Sequence, residues 1–176
     1  MSCSCATFWQ ELIREAVLRQ QLDSLDRQLL ALMQQNNLQT ADQLAERIGL
    51  SASAIARRLR RLRATGAIAA DVSLVSPQAA GDPLTAVVHV QLDRHTPKDD
   101  DRLRRRLVAS PHVQLCLDLA GSFDILLLVV ARDMRDYNEF ADAALEDNPA
   151  VRRFETTFVK RRVKATLAFP LGEQEA

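Results

Sequence analysis

Apolar residues recur every three or four positions through the first third of the chain, and further on they alternate in short runs. The first pattern predicts helices and the second strands. Over residues 7–21, Phe8, Leu12 and Ala16 share one face with Trp9, Ile13 and Val17 beside them, which predicts an amphipathic helix. A second helix starts at Asp23 or Ser24, carries Leu25, Leu29, Leu32 and Met33, and ends in the polar run Gln34–Asn37. Thr40 is placed to cap a third, with Gln43 three residues on completing a capping box. Leu44, Ala45 and Ile48 form its inner face, and Gly49 ends it in the left-handed conformation. Ser51 caps a fourth helix that runs to about Thr65 and stops at Gly66. Two helices joined by Gly-Leu-Ser after a third make the layout of a helix-turn-helix. Ala67–Val75 is short and β-like, and is expected to pair as a small wing.

Pro77, Gly81 and Pro83 mark a hinge over 76–83, after which the period changes. Leu84–Leu92 reads as a strand with Leu84, Val88, Val90 and Leu92 on one face and His89 on the other. Pro97 opens a helix to about Ala109, His112–Leu119 alternates as a strand, and AGSFD makes a tight connection. Ile125–Ala131 reads as an apolar strand covered on both faces. Asp133 caps a helix ending near Asp147, and Val151–Val163 reads as one long strand. In that strand Phe154 and Phe158 share a face, while Val151, Val159 and Val163 share the other. The expected fold class is α+β: a winged helix-turn-helix domain, then a ferredoxin-like β-α-β-β-α-β domain. The expected division is a helical extension over 1–21, a helix-turn-helix domain over 22–75, the hinge, and a ligand-binding and oligomerisation domain over 84–176.

Charge sharpens this picture. The 176 residues hold 23 Lys+Arg and 23 Asp+Glu, a formal net charge of zero, yet five arginines crowd Arg57–Arg63 with no acid among them. On a helical wheel of roughly 100° per residue, Ile55, Leu59 and Leu62 form the buried stripe. Ser53, Arg57, Arg60 and Arg61 lie opposite, Ala54 is near them, and Arg58 and Arg63 flank the stripe. A solvated helix ordinarily mixes signs to gain pairs one turn apart. Here small residues also occupy the first turn, which lets that end approach a groove closely. Guanidinium groups match phosphate oxygens and the guanine O6/N7 edge. Double-stranded DNA is therefore the expected partner, with Ser51, Ser53, Ala54 and Arg57 nearest base edges and Arg58, Arg60 and Arg61 on phosphates.

These segments carry a resemblance. LDSLDRQLLALMQ, GLSASAIARRLRRLRATGAI and AGSFDILLLVVARDMRDY resemble, in order and separation, the opening helix, recognition helix and effector signature of the Lrp/AsnC family of transcription regulators. The likeness covers about residues 22–164. It implies dimers that pair through their sheets, assembly of dimers into octamers, and a small effector, an amino acid, bound between dimers near the G-x-F-D turn. Carried over by motif, the effector residues are Gly121, Ser122, Phe123 and Asp124, with Met134 from the next helix and Thr156 from the last strand. Asp124 is suited to an ammonium or to capping backbone amides, and amides around Gly121 and Ser122 to a carboxylate. The bland reading of the same residues is a tight turn with a capping Asp.

The chain also departs from the family pattern. Asp118 stands where many relatives are apolar and is grouped with the effector residues, Ile125 replaces a common aromatic, and Thr157 another. A more acidic, less aromatic pocket would favour an effector with an extra amine or a polar side chain over leucine. Leu38 replaces a frequent arginine. The final stretch VRRFETTFVKRRVK holds six basic residues against one Glu, read as solvated edge protection or a supplementary DNA surface.

An enzyme reading has one form, because siroheme decarboxylases resemble this family in fold. The turn here is GSFDIL, Trp9 is the single tryptophan, and His89, His95 and His112 lack ligand spacing. No catalytic residue, metal ligand or cofactor is expected, with an effector-binding protein that has lost DNA binding as the remaining alternative. Cys3, Cys5 and Cys116 make no disulfide framework, no apolar run spans a bilayer, and no signal peptide is read at the start, so a cytoplasmic protein without a membrane partner is expected.

Overall fold

A computed structural model describes residues 22–93 and 97–171. The helix expected over 7–21, with Cys3, Cys5 and Trp9, lies outside the described residues, as does His95. Contacts divide the chain into two units: residues up to Ser73 together with those from Thr166 onward, and Leu74–Ala165.

Among the described residues the first unit holds three helices, α1 (Ser24–Gln35), α2 (Ala41–Ile48) and α3 (Ala52–Ala64). Each begins where a side chain can satisfy its free amides. Asp23 accepts from the Asp26 amide at 2.7 Å, and Asp26 accepts in return from the Asp23 amide at 3.2 Å. Thr40 and Gln43 make the expected reciprocal box at 3.2 and 2.9 Å. Ser51 receives the Ala54 amide at 3.3 Å. Gly49 turns the chain from α2 into α3 at φ 77°, a conformation that disfavours any side chain. Leu29, Leu44, Ile55 and Leu62, with Leu30, Met33 and Leu59, form the shared core.

Ala67–Val75 forms no strand among the described residues, so the short pairing expected there is corrected. Residues 69–76 are exposed throughout and, among the described residues, are tied back where Asp71 holds Arg63. With polar and small residues alternating with exposed Val72, Leu74 and Val75, the run has no apolar face turned to its own unit.

The second unit is a four-stranded antiparallel sheet, β1 (Leu84–Leu92), β2 (Val113–Asp118), β3 (Ile125–Ala131) and β4 (Val151–Phe158), in the order β2-β3-β1-β4. Helices α4 (Pro97–Ala109) and α5 (Met134–Ala141) make the crossovers, α5 running on into a π turn over Asp142–Glu146. Because side chains alternate along a strand, one face can be wholly apolar. Val88, Val90, Ile125, Leu127 and Val129 are buried beneath Leu103, Leu107 and Leu145 of the helical layer.

Two expectations about this sheet change. β3 is covered on one face only within the chain, since both crossovers put their helices on the same side. Leu126, Leu128 and Val130 face the other side and stay half-buried. The last strand stops at Phe158 rather than Val163. A register shift between Gln91 and Leu92 pairs Leu92 with Val151 and Gln91 with Arg153, skipping Arg152. That extra residue turns Val151 onto the same core as Phe154, against the face assigned by simple alternation.

Leu107 and Val108 are neighbours on α4 with opposite environments, one fully buried and the other 71% exposed. Leu107→Ala should lower the urea stability of the second unit by about 2–5 kcal/mol, and Val108→Ala by less than about 0.5 kcal/mol. Equal losses in the two variants would show that α4 is wrongly oriented.

Candidate nucleic-acid interface and effector turn

The arginine helix is α3, seated as its apolar stripe requires. Ile55 and Leu62 are fully buried and Leu59 nearly so, while Ser51, Ser53, Arg57, Arg60 and Arg61 are exposed and Ala54 is half-exposed. The Ser51 and Ser53 hydroxyls lie 3.1 Å apart at its start.

The expectation that no acid balances these arginines is corrected. Asp26 of α1 is completely buried, and its two carboxylate oxygens receive Arg58 at 2.7 Å and Arg61 in a short ion pair. Arg58 also reaches Asp23 at 2.7 Å. Further along, Arg63 holds Asp71 through Nε at 2.7 Å and Nη2 at 3.2 Å. Arg58, placed on a phosphate by sequence, thus points its guanidinium back to α1, and Arg61 shares itself between α1 and solvent at 44% exposure. Arg57 and Arg60 remain exposed, with no ion pair among the described residues.

Asp23 and Asp26 are the functional residues that sequence reasoning missed. A signal for them exists: Asp26 stands one turn before Leu29 and Leu30 and two before Met33, so a carboxylate occupies the buried stripe of α1. Such a group needs a cation and hydrogen bonds to stay there. Burial pushes its carboxyl up, but the bonds from Arg61, Arg58 and the Asp23 amide outweigh that and hold it below the ordinary carboxylate value.

The G-x-F-D turn, expected to meet the effector, joins β2 to β3. Asp124 is its anchor: its amide donates to the Val90 carbonyl at 2.9 Å, its carbonyl accepts from Leu119 at 2.8 Å, and its Oδ2 accepts the Leu92 amide at 2.8 Å. Of the two roles expected for Asp124, capping of backbone amides is the one this geometry displays. Gly121 and Ser122 are exposed at the tip, and a Cβ on Gly121 would meet nothing within 4 Å. The fold itself therefore makes no demand for glycine there.

Phe123 turns onto the open face of the sheet, its ring 5.2 Å from His89 and 5.2 Å from the Arg153 guanidinium carbon. Thr156 lies on the helical face instead, hydrogen-bonded to the Tyr137 hydroxyl. Met134 opens α5 at 48% exposure. Asp118 is tied to Arg104 at 2.9 Å, at the exposed edge of β2. The expected residues are thus divided between two faces of the sheet. A surface depression beside α5, lined by Arg106, His112, Asp136 and Phe140, contains none of them. There Asp136 is held well below the ordinary carboxylate range, chiefly by Arg132 and with a bond from His112.

The Asp26 tie has a pH signature. A carboxyl held below its unfolded value of about 3.9 contributes stability above that pH and loses it as pH falls through the lower folded value. Asp26→Asn should cost the DNA-binding unit about 2–3 kcal/mol at pH 7, less than a wholly buried pair because both arginines reach solvent. It should also flatten the acid limb of stability below pH of about 4. Urea unfolding followed by circular dichroism across pH checks both, and an unchanged acid limb would remove Asp26 from this role.

Comparisons with known proteins agree with this geometry. Residues 22–69 match a family described as winged helix-turn-helix DNA-binding, and residues 85–169 match the Lrp/AsnC ligand binding domain. The chain is 40% identical over 162 residues to the HTH-type transcriptional regulator y4tD of Sinorhizobium fredii, covering 92% of this chain and 95% of that one. It is 31% identical over 150 residues to the DNA-binding transcriptional activator DecR of Escherichia coli, covering 85% and 99%. It also resembles a solved transcriptional regulator of Neisseria meningitidis, in complex with L-Met, at a TM-score of 0.79 and 29% identity, covering 85% and 97%. A three-helix unit that presents α3 and a sheet unit that carries a G-x-F-D turn therefore have one origin: the chain is a member of the Lrp/AsnC family of DNA-binding transcription regulators.

Proposed function

We propose that this regulator reads DNA with the row Ser51, Ser53, Ala54, Arg57 and Arg60, while Arg58 aims the helix rather than touching phosphate. The observation that carries the reading is the division of labour on α3, where Arg58 is drawn to Asp23 and Asp26 and Arg57 and Arg60 are left outward. Arg61 serves both sides, within reach of a phosphate while bound to Asp26.

In this reading the protein acts as a homodimer in the cytoplasm, and its two recognition helices enter successive major grooves roughly 34 Å apart. The dimer forms through the open sheet face, where Leu115, Leu117, Leu126 and Leu128 offer an apolar patch that one chain leaves half-covered. Dimers assemble further, up to octamers. An amino acid binds between dimers at the turn: backbone amides at Gly121 and Ser122 take its carboxylate, and Phe123 lines its side chain. Gly121 and Ser122 are exposed at the tip, which supports a pocket completed by another copy. The pairing of Asp118 with Arg104 ties up one acid read as favouring an extra amine, and the L-Met complex of the Neisseria meningitidis regulator makes L-methionine the first ligand to try. The effector shifts assembly by binding one arrangement more tightly than another, and no covalent chemistry is involved.

Arg57→Ala with Arg60→Ala should weaken DNA binding, relax base preference through Arg57, and lower the salt slope of the logarithm of affinity by about 2 per homodimer, one for the Arg60 phosphate contact of each subunit. Arg58→Ala should lower thermal stability first and leave that slope nearly unchanged. A slope that drops in the single variant as far as in the double one would return Arg58 to the DNA surface. Gly121→Val should abolish heat of binding for L-methionine and the other amino acids in calorimetry while DNA affinity holds. Undiminished binding would place the effector elsewhere.

A further inference from the structure

Chain beyond the last strand does not trail away from the fold. Val159 donates its amide to the Thr85 carbonyl at 2.8 Å, and Arg162 donates to the Thr85 hydroxyl at 2.9 Å, both still on the sheet unit. From Thr166 onward the residues belong with the DNA-binding unit. There Gln34, in the last turn of α1, holds the main chain of Phe169 at two points. Its Nε2 donates to the Phe169 carbonyl at 3.0 Å, and its Oε1 accepts the Phe169 amide at 2.7 Å. A primary amide that meets one backbone N–H and one C=O copies a single rung of a strand ladder. Two residues on, Leu171 packs half-buried against the core of Leu29, Leu44, Ile55 and Leu62.

We infer that residues 166–171 form a latch on α1, and that Gln34 is a positioning residue for the recognition helix. α1 is a 12-residue rod about 18 Å long. The latch grips one end of it. At the other end Asp26 holds Arg58 and Arg61 of α3. A pull on the tail therefore acts on the same helix that seats α3. The chain reaches the latch from β4, the strand whose Arg153 lies against Phe123 of the turn, so the inference rests on the effector reading above.

The grip is light. Gln34 is exposed, the Phe169 side chain is 76% exposed, and Leu167 is 84% exposed, so neither apolar side chain contributes. Two neutral bonds at the surface and one half-buried leucine open far more readily than the core does. A permanent brace would bury Phe169; a releasable one leaves it out.

The full chain, Gln34→Ala and a chain ending at Ala165 would be compared by amide hydrogen exchange and by DNA affinity. The DNA is a duplex selected from a random pool by the wild-type protein, measured with and without L-methionine and the other amino acids. Both variants should exchange the last turn of α1 about tenfold faster, with β1 and β3 unchanged, as expected when a few modest interactions are removed. The effector-dependent ratio of affinities should fall towards one, while affinity without effector stays within about threefold. Unchanged exchange in α1 overturns the latch. Faster exchange with the wild-type ratio intact overturns the positioning role. A wild-type protein that responds to no amino acid fails the effector reading, and the exchange result still decides the latch. Should the shortened chain not fold, Gln34→Ala alone decides.

Discussion

One buried carboxylate organises the DNA-binding unit. Asp26 has no exposure to water, and a charge in that position is stable only because two guanidinium groups and a backbone amide converge on it. The same convergence fixes α3 against α1 by direction as well as by depth. The apolar stripe sets which side of α3 faces inward but leaves small rotations about its axis cheap, since apolar contact is not directional. A pair of charged hydrogen bonds from Arg58 and Arg61 removes that freedom. Which arginines face outward is therefore decided on the inside.

The sheet unit obeys a different constraint. Both crossover helices lie on one side of the sheet, so β1 and β3 bury one set of alternate residues and leave the other set half-buried on the open face. At the end of these strands, Asp124 closes the turn by bonding to three backbone groups of β1 and of the β2–β3 connection. The tip, Gly121 and Ser122, needs nothing from its own chain. A glycine at such a tip leaves the backbone open to close approach. Phe123, clasped by His89 and Arg153, ties that tip to the open face.

Within the DNA-binding unit, α1 is held by two attachments of unequal strength. It is capped and charged at its start by the Asp23–Asp26 box and held at its end through Gln34. Local rules of capping explain the first turn, and long-range bonds to a residue 135 positions away explain the last. Rigid elements with one strong and one light attachment are suited to being reset, because the light one responds to changes that leave the strong one intact.

Period, caps and glycines were enough to determine the helices of the first unit, the order of strands and helices along the second, and the buried stripe Ile55–Leu59–Leu62. Those features depend on interactions within a few residues, which a linear reading contains. The family motifs added the order of the two units. Tertiary structure alone decided that Arg58 turns inward, because the acids that claim it sit 35 and 32 positions earlier on another helix. It also decided that Val151 joins Phe154 on the core, because one extra residue in β4 shifts the register, and that the tail returns to α1. Charge pairing, register and long-range return each join residues distant in the chain, so only the folded arrangement fixes them.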